Sequence, residues 1–144
     1  MPVRTYDPKQ VVLTVGGFPV SGFADGTFIK VMRDNDTFTK ISGADGEVSR
    51  AKSNDRGGNI EITLAQTSLS NDVLTGIALA DELSNDGVVP VLVKDIGGTS
   101  TFVSAFGWIR KPPDSEYSKE VGERLWIMDL ADLDIFTGGN AAAE

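Results

Sequence analysis

The sequence predicts a mainly β fold, a β-sandwich or partly open barrel with one α-helix packed at its side. Three observations carry that prediction. Apolar and polar residues alternate with period two in several short segments, most cleanly at 59–65, where Ile60, Ile62 and Leu64 alternate with Glu61, Thr63 and Ala65. Glycine pairs separate such segments at Gly16-Gly17 and Gly97-Gly98, as tight hairpin turns require. One stretch alone, residues 68–83, shifts to a helical period.

Taken in order, residues 1–8 are polar and read as an arm, either disordered or lying on a neighbouring surface. Val11, Leu13 and Val15 share one face of a strand over 10–15, and Gly16-Gly17 turns it into 18–21. Residues 27–33 and 37–42 are expected to pair as a second hairpin about Asp34-Asn35-Asp36. That register sets Lys30 opposite Lys40, which is destabilising unless an acidic partner relieves it or both ammonium groups reach water.

Residues 43–58 read as a glycine-hinged loop. Gly43, Gly46, Gly57 and Gly58 alternate with Asp45, Glu47, Arg50, Lys52, Asp55 and Arg56, and no apolar side chain is larger than Val48. Such a stretch cannot supply a core, and a long structureless loop in a compact domain is usually functional or ordered by a partner.

In the helix, Leu69, Val73, Gly76, Ile77, Ala80 and Leu83 fall in one apolar sector opposite Asn71, Thr75, Ala78 and Glu82. That sector is expected to pack on the sheet, with Gly76 permitting close approach. Leu74 and Leu79 flank it and are candidates for a second contact. Ser68 or Ser70 is the expected N-cap, Asp72 suits the first turn, and Asn85-Asp86-Gly87 supplies the stop.

Beyond it, 88–95 is a strand whose Pro90 belongs at a sheet edge or at the first positions, and Gly97-Gly98 leads into a strand over 99–110. Pro112-Pro113 ends that strand. Residues 123–130 are apolar at both parities, the pattern of a strand covered on both faces, and 133–136 continues it after a bend. Residues 138–144 have the composition of a flexible tail, and 1–144 is expected to form one domain.

Composition narrows the chemistry. With no cysteine and no histidine, the chain lacks disulfides, thiolates and the commonest general base and metal ligand. Twenty-one acidic residues against 13 basic give a net charge of −8, the wrong sign for gripping phosphates but suited to solubility or to letting DNA pass. No apolar run reaches membrane-span length and no signal peptide is evident, so a soluble product made in a cytoplasm is expected. Asp34-Asn35-Asp36 fails as an EF-hand, because Thr39 and Asp45 stand where Gly and Glu belong. Asp129, Asp132 and Asp134 could serve glycoside hydrolysis only at a suitable separation, and a solvated strand end accounts for them. Residues 43–46 lack a P-loop lysine. Trp108 and Trp126 have no basic stripe beside them and read as core or subunit-contact aromatics. No catalytic, metal or cofactor residue is expected.

The segments GADGE, SNDRGGNIEITLAQTS, SNDVL, RKPPDSEY and ERLWIMDLADLDI resemble the tail tube proteins of contractile-tailed bacteriophages in kind and order, within a similarity that spans roughly residues 28–135. The resemblance implies a barrel of tail tube type and a non-enzymatic virion protein that stacks as hexameric rings into a tube. Its implied partners are other copies of itself, the tail sheath outside, baseplate and tail terminator proteins at the ends, and genomic DNA passing through without specific binding. Within it, residues 43–58 become the expected assembly loop, and Leu74, Leu79, Lys30 and Lys40 possible subunit contacts. The alternatives are an Hcp-like tube of a secretion or pyocin-type machine, and a carbohydrate-binding β-sandwich module or small hydrolase.

Overall fold

The computed structural model describes residues 3–140 and 142–143. In chain order the elements are β1 (Val3–Arg4), a 3-10 turn (Pro8–Gln10), β2 (Val11–Val15), β3 (Phe18–Pro19), β4 (Ile29–Arg33), β5 (Phe38–Ser42), β6 (Val48–Lys52) and β7 (Gly58–Ala65). There follow α1 (Ser70–Ser84), β8 (Val89–Asp95), β9 (Thr101–Lys111), β10 (Glu123–Leu130), β11 (Leu133–Phe136) and β12 (Ala142–Ala143). An eight-stranded antiparallel sheet runs β3-β2-β8-β9-β10-β7-β4, with β11 also on β9. Two separate ladders, β1 with β12 and β5 with β6, stand outside it.

Local chemistry sets the register. Gly16 and Gly17 both adopt positive φ (59° and 86°), the requirement of a two-residue turn whose twist matches its strands, so Val15 pairs with Phe18. The alternation of β7 buries Gly58, Ile60, Ile62 and Leu64, and β10 pairs along its whole length. With Leu13, Val15, Val91, Val93, Trp126, Met128 and Leu133 these form the core. The sheet curls until Ile29 and Val31 of β4 face Val11, Val93 and Phe102 across an apolar opening of about 400 Å³. The expected mainly β fold with one helix is therefore what forms. As expected, β11 extends β10 after a bend, and Pro90 sits second in β8, where the ladder to β9 shifts register.

Several expectations are corrected. The strand over 27–33 does not pair with 37–42. Instead β4 pairs with β7, placing Ile29 against Ile62 and Val31 against Ile60, because β7 offers an apolar face to bury and β5 offers none. Lys30 then lies across from Glu61 of the same chain, not Lys40. The 43–58 loop is not structureless: Val48–Lys52 pairs with Phe38–Ser42 as a projecting hairpin. On β10, Arg124, Trp126, Met128 and Leu130 are buried, whereas Leu125 is exposed and Ile127 only half-buried, so the strand is not covered on both faces.

The termini also differ from expectation. Val3–Arg4 pairs with Ala142–Ala143, the Gly138 amide donates to Ser100 Oγ, and Asn140 Nδ2 donates to the carbonyls of Thr5 and Gly97. The arm and tail thus hold each other against their own chain. Met1, Pro2, Ala141 and Glu144, which belong to the same two expectations, lie outside the described residues.

Candidate assembly surfaces

The β5–β6 hairpin is a free blade on a fixed root. The root begins where the Ser53 amide donates to the Thr37 carbonyl (2.8 Å). Asn35 Nδ2 donates to Asp55 Oδ2 (2.5 Å) and Asn59 Nδ2 to Asp34 Oδ1 (3.1 Å). Arg56 pairs with Asp132 and Asp134, and its carbonyl accepts from the Leu133 amide, whose own carbonyl accepts from Arg33 Nη2 at 2.6 Å. Beyond this root every residue of both strands is exposed. The tip, which holds Gly43, Asp45, Gly46 and Glu47, closes with the Gly43 amide donating to the Glu47 carbonyl (2.7 Å) and Gly46 at φ +86°.

Directly opposed residues of an antiparallel ladder share a face. One face of the blade therefore carries Phe38 with Lys52, Lys40 with Arg50, and Ser42 with Val48, while Thr39, Ala51, Ile41 and Ser49 occupy the other. The Arg50 guanidinium lies 4.1 Å over the Phe38 ring. Lys40 faces Arg50, a like-charge pair that works against an isolated hairpin. None of the three ion pairs among the described residues includes Lys40, Arg50 or Lys52. Of the residues assigned to the assembly loop, Asp55 and Arg56 belong to the root, and the others lie on the blade.

The helix is rotated from its expected setting. It buries Ser70, Leu74 and Ala78, whereas Leu69 is 81% exposed, Leu83 85%, and Val73, Gly76 and Leu79 are also exposed. Of the expected packing set, Ile77 and Ala80 are only half-buried. Leu74 is thus a core residue and not a free contact. The physical reason is polar. Trp126 Nε1 donates to Asn71 Oδ1 (2.9 Å) and the Ser21 amide to Ser70 Oγ (3.0 Å), so satisfying these groups turns the Ser70–Asn71–Leu74 side inward. Gly76 has no heavy atom within 4 Å of an added Cβ, so it serves no close approach within this chain. The N-cap position falls to Leu69, which makes no side-chain cap, and not to Ser68 or Ser70; Ser68 Oγ, one residue earlier, accepts from the Ser70 amide, and Asn85 at φ 55° ends the helix.

Arg124 is a residue the pattern reading passed over. It is 7% exposed, donates to the carbonyls of Glu123 and Glu116, and stacks 5.3 Å from the Tyr117 ring, holding the 112–122 segment against the sheet. Its parity with Trp126, Met128 and Leu130 was the available signal. The Asp cluster offers no free carboxylate pair. Asp132 and Asp134 are engaged by Arg56, and Asp129 accepts from Arg110 Nε and Nη2, bonds that push the Arg110 guanidinium above its ordinary value.

Solved structures share this fold. The cap of the anti-feeding prophage (AFP tube terminating cap) superposes with a TM-score of 0.66 at 10% identity, over 95% of this chain and 94% of that one. The sheath-tube complex of the extracellular contractile injection system PVC, in its extended state, gives 0.56 at 9% over 92% and 91%. The PVC sheath/tube terminator gives 0.58 at 10% over 92% and 97%. The fold is one shared with components of contractile injection systems.

Sequence narrows this further. The model of the Bacteriophage PhiTE tail tube protein family matches residues 11–138, and the chain belongs to that family. It is 33% identical to Structural protein ORF10 of Pseudomonas phage KPP10 over 144 residues, covering 94% of this chain and 83% of that one. The expected family is therefore the one found, and the protein is a structural component of the phage virion.

Proposed function

We propose that copies of this chain close into hexameric rings and that the rings stack into the inner tube of a contractile tail, the conduit for DNA ejection. The observation that carries this is the β5–β6 blade, ten strand residues all exposed on a root fixed by hydrogen bonds and two ion pairs. A two-stranded ribbon in water is marginal by itself, so the blade gains its partners in an assembly. The main sheet ends in β4 on one side and the two-residue β3 on the other, and ring closure pairs such edges. The sheath lies outside this tube, with terminator and baseplate proteins at its ends. A net charge of −8 suits an acidic lumen that does not grip DNA.

The test follows from the root. Because the Thr37 carbonyl and Ser53 amide are bonded, residues 38–52 can be replaced by Asn-Gly without moving either strand stub. That variant should remain folded and sediment as a monomer under conditions where the intact protein assembles. Normal tubes from it would reject the assembly role of the blade.

A further inference from the structure

The side of α1 turned away from the sheet is unusual for a solvent face. Leu69, Val73, Gly76, Ala80 and Leu83 recur at spacings of four and three, so they form one stripe along the helix with Leu79 beside it. Asp72 lies on the Leu79 side of that stripe and Asp86 follows at its C-terminal end, while Glu82 sits further round, on the side opposite the apolar sector. No ion pair among the described residues engages these three carboxylates. Two of them stand where the helix dipole is negative, with no basic residue in the last turn. At the centre sits Gly76, which weakens a helix interior and meets nothing in this chain. A missing side chain in mid-stripe is a notch for another backbone or ring.

We infer that this stripe seats the basic face of the β5–β6 blade of a second copy. The inference rests on the self-assembly reading and names the two surfaces that meet. Lys40, Arg50 and Lys52 lie together on one face of the blade with Phe38 and Val48, so both the cations and the apolar groups have counterparts on the helix. Dimensions agree: the stripe spans about 21 Å from Leu69 to Leu83 at the helical rise, and a five-residue strand spans about 17 Å. Docking places carboxylates beside the Lys40–Arg50 repulsion and cations beside the helix C-terminus. It also covers leucines that the lone chain leaves in water.

Gly76→Leu separates docking from folding, because the added side chain enters open space and improves helix propensity. Expected is a melting temperature no lower than that of the parent, with pelletable tubes reduced at least tenfold. Charge reversal supplies the pairing test. Lys40→Glu with Arg50→Glu, or Asp72→Lys with Asp86→Lys, should each abolish tubes, and the four together should restore them. Tubes at parental yield from Gly76→Leu, or a fourfold variant no better than either double, would overturn the inference while leaving self-assembly intact. Parent protein that never forms rings or tubes would overturn both.

Discussion

Leu74→Ala removes the one leucine of α1 that is fully buried, at 0% exposure in the core beside Trp126 and Ala78. Truncating such a side chain costs the transfer of its methyl and methylene groups plus a residual cavity, about 3–4 kcal/mol. At roughly 2.1 cal/mol/K of unfolding entropy per residue, a chain of 144 residues loses about 0.3 kcal/mol per degree. The expected fall in melting temperature is therefore about 10–13 °C. Leu83→Ala, at a position 85% exposed, should stay within about 0.5 kcal/mol, or about 2 °C. Both are read by circular dichroism at concentrations too low for assembly, with urea titration as the check on two-state behaviour. Equal losses at the two positions, or a larger loss at Leu83, would mean the helix packs through its other face.

Further outcomes follow from individual contacts. Gly76→Ala should stabilise the monomer by about 0.8–1 kcal/mol, measured by the same urea titration, since the glycine is helical and meets nothing. Gly58→Ala should cost about 1–3 kcal/mol or more, because an added Cβ collides with the Met32 carbonyl and the Leu133 side chain. Arg124→Met should cost about 1–3 kcal/mol and raise hydrogen exchange across residues 112–122, which that guanidinium holds in place. Arg56→Ala should cost no more than about 1 kcal/mol, as its partners Asp132 and Asp134 are exposed, yet should loosen exchange protection at the blade root.

Features decided within a few neighbouring residues were legible in the sequence. The Gly16-Gly17 turn, the inward face of β7, the helix and its Asn85 stop all follow from local conformational demands. What failed depended on partners distant in the chain. Leucine, isoleucine and valine surround α1, so period alone could not choose its buried side; Trp126 and Ser21, through hydrogen bonds to Asn71 and Ser70, did. The partner of β4 was set by the apolar face of β7 some thirty residues on, not by the nearer β5. β6 carries no buried side, so it left no alternation to read and is defined by its ladder to β5. The residues expected to form an assembly loop divide into blade and root, a division that only the register of β5 and β6 reveals.

Self-assembly is proposed here to complete this tail tube protein, whose blade and sheet edges find their partners only in identical copies. Its most direct test is negative-stain electron microscopy of the purified, concentrated chain, averaged in two dimensions. Hollow six-fold end views and stacked side views are the predicted result. Particles that remain single 15.3 kDa chains at every concentration would contradict it.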